Sequence, residues 1–192
     1  MVQHSAVMAE LKAVLREAAE AIGIAQLKTE QKDAIMVFAR GRDVFVSLPT
    51  GYGKSVCYGC LPGLFSRLRV LRGMTAADSA QEPIIIVITP LVSIMKDQTR
   101  EFKRQGVSSI YITATVSDQD ERAVLLGHFS LVYISPEQLL GCEKWREMLR
   151  SDIYQEMMVG FIVDEAHCVK KWYISSLLNL CTFIEYCYIL HG

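Results

Sequence analysis

Ile84-Ile85-Ile86-Val87-Ile88 constrains the fold of this chain more than any other stretch. All five side chains are apolar and β-branched, with no polar alternation. A strand with one wet face alternates. A strand of this kind is covered on both faces, as in a parallel sheet with helices on either side. The neighbouring segments agree. Apolar runs over 43–48, 108–113, 131–135 and 159–163 are separated by helical patterns over 91–104, 117–126 and 136–148. Strands alternating with helices predict an α/β fold: a doubly wound parallel sheet with right-handed crossovers. Ser117 and Asp120 have the spacing of a capping box. Ahead of the first strand, Leu11, Val14, Leu15, Ala18, Ala19 and Ile22 form a helical stripe that Gly23 can end. A second helix is expected over 30–39, one over 54–64, and a surface loop over 66–82. With 192 residues, 51% of them hydrophobic, the chain can build one domain with a sizeable core.

The functional signals fall where the strands end. Ligands of parallel α/β sheets sit beyond the carboxyl ends of the strands. Thr50-Gly51, Thr89-Pro90, Ser135-Pro136 and Asp164-Glu165 all occupy such positions. Leu48-Pro49-Thr50-Gly51-Tyr52-Gly53-Lys54-Ser55 has the character of a phosphate-binding loop. Its glycines let successive N–H groups point at phosphate oxygens, and the positive end of the next helix attracts the anion. Lys54 would reach the outer phosphates and Ser55 would place its hydroxyl on Mg²⁺. The strict consensus has glycine where Leu48 stands, so the match is to a shorter Thr-Gly-x-Gly-Lys-Ser form. Gly160-Phe161-Ile162-Val163 reads as a buried strand ending in Asp164-Glu165. A carboxylate at the tip of an adjacent strand suits water-coordinated Mg²⁺, and Glu165 is placed to polarise an attacking water. Acidic pairs after strands also cap helices. Capping leaves unexplained why this pair accompanies a phosphate loop.

Net charge is −1, so nucleic-acid contacts must come from local patches rather than a global basic field. Cys57-Tyr58-Gly59-Cys60 is a CxxC within the helix after the loop. No second pair or histidine cluster partners it, so buried thiols are favoured over zinc or redox chemistry. The N-terminus is amphipathic with both charge signs, unlike a signal peptide, and a reducing intracellular compartment fits.

In this order the motifs resemble the first motor lobe of superfamily 2 helicases, most closely the RecQ family, over roughly residues 25–172. The resemblance implies a P-loop NTPase lobe that uses ATP and Mg²⁺. Gln31 looks like the adenine-reading glutamine; without the resemblance, an ordinary solvated glutamine is the simpler reading. Thr50, Gly51, Tyr52, Gly53, Lys54 and Ser55 would hold the nucleotide. Ser55 and Asp164 would hold the metal, and Lys54, Glu165 and His167 would serve catalysis. The stretch from Thr89 to Gln98, with Tyr133-Ile134-Ser135-Pro136-Glu137, is similar to the strand-contacting motifs. Thr89, Ser93, Lys96, Gln98 and Ser135, with Trp172 after the DEAH box, would contact DNA. The implied activity is an ATP-dependent 3′-to-5′ DNA helicase acting on single-stranded or partly duplex DNA. It would serve repair and recombination in the nucleus, or in the cytoplasm of a prokaryote.

Two departures stand out. The family's aromatic DNA-sensing loop is replaced after Trp172 by Tyr173-Ile174-Ser175-Ser176, and no second lobe with its arginine finger is recognisable. The chain therefore divides into a helical segment (1–24), an ATP-binding lobe (25–172) and a divergent apolar tail (173–192). Residues 173–190 carry one charge, Glu185, and read as a foreign ending; a membrane anchor is the minority reading. The sheet is then expected to lack a final strand, and a chain ending at Trp172 to be more soluble. The alternative function is a non-catalytic nucleotide- and nucleic-acid-binding module. A small-molecule P-loop kinase is disfavoured, because it needs neither a water-activating glutamate nor strand-contacting turns.

Overall fold

The computed structural model describes residues 2–74, 81–164 and 187–191. In chain order the elements are α1 (Val2–Ala21), α2 (Thr29–Phe38), β1 (Val44–Ser47), α3 (Lys54–Gly59), α4 (Leu61–Leu71), β2 (Ile84–Ile88), α5 (Val92–Arg104), β3 (Ser109–Ile112), α6 (Asp118–Leu125), β4 (Leu131–Ile134), α7 (Pro136–Gly141), α8 (Glu143–Arg150), α9 (Asp152–Met157), β5 (Met158–Val163) and β6 (Cys187–His191). The six strands form one sheet, in the order β1-β6-β5-β2-β4-β3. Every pairing is parallel.

Strand β2 lies inside the sheet and is buried along its whole length, as its unbroken apolar run requires. Its residues alternate between two cores. Ile85 and Val87, with Leu131, Tyr133 and Ile162, pack against Leu15, Ile35, Leu61, Met95 and Phe102 from α1, α2, α4 and α5. Ile84, Ile86 and Ile88, with Val132, Ile134 and Phe161, pack against Val124, Leu139, Trp145, Leu149 and Tyr154 from α6 to α9. Burying each such side chain contributes about 1.5–3 kcal/mol relative to leaving it in water.

Three boundaries differ from the sequence reading. Helix α4 runs to Leu71, into the expected loop, because Leu68 continues the stripe of Leu61, Leu64 and Phe65 against the core of α1. The single helix expected over 136–148 is two short ones, α7 and α8, and a third, α9, follows them. Gly141, a poor helix former, precedes Cys142, whose backbone is extended (φ −116°, ψ 115°), and Ser151 repeats the break. The Ser117 cap is present, its hydroxyl oxygen accepting the Asp120 N–H at 3.1 Å.

The third difference concerns the ending. The strand expected to be missing is present, because β6 fills the slot between β1 and β5. Val44, Phe45, Val46 and Ser47 align with Tyr188, Ile189, Leu190 and His191, while Phe161, Ile162 and Val163 align with Cys187, Tyr188 and Ile189. A five-residue strand was hidden in a longer apolar stretch without turn signals to bound it. The rest of the expected tail, 173–186, lies outside the described residues. Among the described residues no helix is long and apolar enough to cross a membrane.

Ile189 is hydrogen-bonded into a ladder on both sides. Ile189→Pro removes a donor where proline is otherwise confined to edges. The expected loss is about 1–3 kcal/mol or more, the cost of an unpaired buried group, read from urea unfolding. For the same reason a chain stopped at Trp172 is expected to be less soluble than the full chain, the reverse of the sequence reading; light scattering of both forms decides it.

Candidate nucleotide and nucleic-acid site

Because all strands are parallel, their carboxyl ends share one edge, and the polar turns picked out from the sequence meet there. After β1 the chain makes a tight turn in which the Tyr52 N–H donates to the Pro49 carbonyl at 3.1 Å. Gly51 and Gly53 have φ of +79° and +87°. Both lie in the left-handed region, where glycine carries no steric penalty. Gly53 immediately precedes α3, so Lys54 and Ser55 occupy its first turn. The Lys54 ammonium folds back and donates to the Leu48 carbonyl at 3.2 Å. A phosphate arriving at the loop offers that ammonium a stronger, charged acceptor.

The loop is clasped by the start of α2. Gln31 is only 4% exposed. Its Oε1 accepts the Lys28 N–H at 2.9 Å, and its Nε2 donates to the carbonyls of Tyr52 at 3.2 Å and Gly53 at 3.0 Å. The Lys28 ammonium donates to the same Tyr52 carbonyl at 3.0 Å and stands 3.8 Å from the centre of the Tyr52 ring. The Tyr52 hydroxyl donates to Glu30 at 2.6 Å. That bond holds the Glu30 carboxyl below its ordinary 4.5 and lifts the Tyr52 phenol above its ordinary 10.0. The bond is therefore fully present between those two values. It is lost as pH falls through the lowered Glu30 pKa or rises through the raised Tyr52 pKa.

Gln31 is thus turned to the phosphate loop, and both of its amide hydrogens meet loop carbonyls. An adenine would have to take over those bonds. The sequence reading found Gln31 but not Lys28 and Glu30, which hold the same loop through Tyr52. The signal was Tyr52 itself, the one large side chain among the loop's glycines.

Asp164 follows β5, is 6% exposed, and donates its N–H to the Ile88 carbonyl at 2.9 Å. The sequence reading placed it on a strand adjacent to the loop strand. Instead β6 lies between β5 and β1. Two inter-strand spacings amount to about 9–10 Å, room for a hydrated cation rather than direct contact. Among the described residues no three His, Cys, Asp or Glu side chains gather to hold a metal. A Mg²⁺ carried on phosphates and water, with Ser55 and Asp164 at its margin, needs no such cluster. Glu165, His167 and Trp172 lie outside the described residues.

On the rim proper, Ser93 and Lys96 are exposed on the first two turns of α5, and the Lys96 ammonium is 5.9 Å from the centre of the Tyr111 ring. Ser135 is half-buried and caps α7, accepting the Gln138 N–H at 3.2 Å. Two of the expected DNA contacts change. Thr89 is fully buried at the end of β2, its N–H bonded to the Ile134 carbonyl at 3.2 Å. Gln98 points inward, where its Oε1 accepts from the hydroxyls of Tyr58 and, at 3.4 Å, Tyr133. Alternating polarity along a helix gives no warning of a polar side chain claimed by buried phenols. Cys57 and Cys60 are buried, and burial pushes the Cys60 thiol up to about 12, too high for a reactive thiolate at neutral pH.

Gln31→Ala removes three hydrogen bonds from the clasp. At about 0.5–1.5 kcal/mol each, and with partial solvent compensation, a loss of about 1–3 kcal/mol is expected in chemical denaturation. A change under about 0.5 kcal/mol would show that the clasp does not hold the loop.

The DEAD/DEAH box helicase family model matches residues 28–188. The chain is 30% identical over 156 residues to the RecQ-like DNA helicase BLM of Xenopus laevis, covering 78% of this chain and 10% of that protein. It is 35% identical over 156 residues to the ATP-dependent DNA helicase RecQ of Bacillus subtilis, covering 78% and 23%. Among solved structures, the DUF1998 helicase MrfA bound to DNA and AMPPNP superposes with a TM-score of 0.64 at 20% identity, over 93% of this chain and 25% of that one. A hypothetical ATP-dependent RNA helicase from Sulfolobus tokodaii superposes at 0.60 and 16% identity, over 93% and 50%. These two likenesses show the fold, a helicase RecA-like lobe. The chain spans about a tenth to a quarter of the length of the two curated relatives. By the extent of the family match, this chain is a member of the DEAD/DEAH box helicases.

Proposed function

We propose that this chain is the ATP-binding motor lobe of a RecQ-type DNA helicase, hydrolysing ATP with Mg²⁺ and moving 3′ to 5′ on DNA. One observation carries the reading: a two-glycine loop with left-handed φ at Gly51 and Gly53 opens α3 on the sheet edge that also bears buried Asp164. Backbone N–H groups of the loop other than that of Tyr52, which is bonded to Pro49, would meet the phosphates, and Lys54 would supply the charge. Ser55 and Asp164 would hold the cation, which would supply neutralisation of the phosphate charge. Gln31 reads adenine once it leaves the loop carbonyls. Glu165 orients the attacking water, and His167 and Trp172 connect the site to the DNA side; these three roles rest on the family resemblance alone.

Phosphoryl transfer depends on positioning and charge neutralisation. In related NTPases an arginine delivered from a second unit is worth ~10³–10⁵ in rate. The 192-residue chain alone should therefore hydrolyse ATP slowly. On the rim, Ser93, Lys96 and Ser135 can donate to phosphates but have no geometry for reading bases. DNA binding should be sequence-independent and weaken with salt. The same reading places the protein with chromosomal DNA, in a nucleus or a prokaryotic cytoplasm.

Calorimetric titration with Mg-ADP tests the nucleotide site. Lys54→Ala deletes charge-assisted bonds worth about 1.5–3 kcal/mol, so affinity should fall roughly 10- to 100-fold. Equal affinities would remove Lys54 from the site. Glu165→Gln should keep Mg-ADP affinity and abolish the residual single-turnover hydrolysis. A parent chain that binds Mg-ADP yet hydrolyses nothing in single turnover favours the non-catalytic binding module instead.

A further inference from the structure

The loop helix α3 and the rim helix α5 meet at two successive points. Gly59 is pressed against Phe102 so closely that a Cβ there would lie 2.1 Å from the ring. One residue earlier on α3 and one turn earlier on α5, the Tyr58 hydroxyl donates to Gln98 Oε1. The same amide oxygen accepts the Tyr133 hydroxyl from β4. Both phenols are fully buried, with ring centres 6.4 Å apart and ring planes inclined at 69°. Burial, reinforced by the neighbouring phenol and by Asp164, lifts the Tyr58 hydroxyl well above its ordinary range, so it remains a donor at neutral pH. Ser55 stands about one turn before Tyr58 and Gly59 on α3. Lys96 and Ser93 stand within about a turn and a half before Gln98 on α5. At a rise of about 1.5 Å per residue, roughly 3–7.5 Å of helix separates these groups from the junction.

We propose that Gln98 is a positioning residue that transmits the state of the α3 N-terminus to α5 through Tyr58, so that nucleotide at the phosphate loop changes the grip of Ser93 and Lys96 on a polynucleotide backbone. This rests on the nucleotide reading above and goes beyond it by naming the joint. Gln98 Oε1 accepts one bond from the nucleotide side and one from the sheet. A shift of α3 breaks the first and leaves the second, and α5 is then referred to the sheet alone.

The two phenols provide the test, since each loses one buried hydroxyl from the same acceptor on conversion to Phe. The full chain, Tyr58→Phe and Tyr133→Phe are titrated with a fluorescein-labelled oligothymidylate by anisotropy, with and without saturating Mg-ADP. Mg-ADP is titrated by calorimetry with and without the oligonucleotide, because the coupling must be reciprocal. In the parent, each ligand is expected to change the other's affinity at least about fivefold. Tyr58→Phe should bring that factor to about one, with each separate affinity within about twofold of the parent. Tyr133→Phe should keep the factor, with a similar shift in melting temperature. A factor retained in Tyr58→Phe, or lost equally in both variants, makes the junction a packing feature and overturns the proposal. A parent that binds Mg-ADP but shows no reciprocity, or no oligonucleotide binding, also overturns it while leaving the nucleotide reading intact. A parent that binds no Mg-ADP overturns the nucleotide reading and this proposal with it.

Discussion

The parallel hydrogen-bond ladder around β2 is the constraint on which the remaining structure depends. Because β2 is apolar on both faces, it can only be stable with a helical layer on each side and a strand at each edge. Parallel strands then need crossovers, and the crossovers bring every carboxyl end to one edge. The phosphate loop, the Thr89 turn, the Ser135 cap and Asp164 converge there because the ladder is parallel. None of them needs to attract another for the site to assemble.

On that edge the loop is held by polar contacts rather than by packing. Gln31, Lys28 and Glu30 each reach Tyr52 or Gly53, and Lys54 returns to Leu48. A loop with two left-handed glycines has few apolar contacts to hold it, so the start of α2 supplies its rigidity. Opposite the loop, β6 acts as a spacer. It sets β5, and the Asp164 that follows it, about two strand spacings from β1.

Polar groups on the far side of the site are tied inward. Gln98 joins two buried phenols and Thr89 lies under the strand ends, leaving Ser93 and Lys96 as the exposed residues of the expected contact set on α5. The rim presented to a ligand is therefore narrower than the motif implies. Gln98 instead bonds α5 to α3 and to the sheet.

The sequence by itself determined the parallel α/β class, five of the six strands, β5 with Asp164 after it among them, and the glycine turn that opens α3. Local chemistry carries these: unbroken β-branched runs, glycines at a turn, a capping serine, and the spacing of Leu11, Val14, Leu15 and Ala18 on α1. Only the tertiary structure decided where β6 goes, that Gln31 faces the loop, and that Gln98 faces Tyr58 and Tyr133. The reason is physical. A strand's place in a sheet depends on which ladders lack a partner, and an amide's orientation depends on which donors and acceptors lie across the fold. Tyr52 is 21 residues from Gln31, and Tyr58 is 40 residues from Gln98. No periodicity along the chain records either pairing.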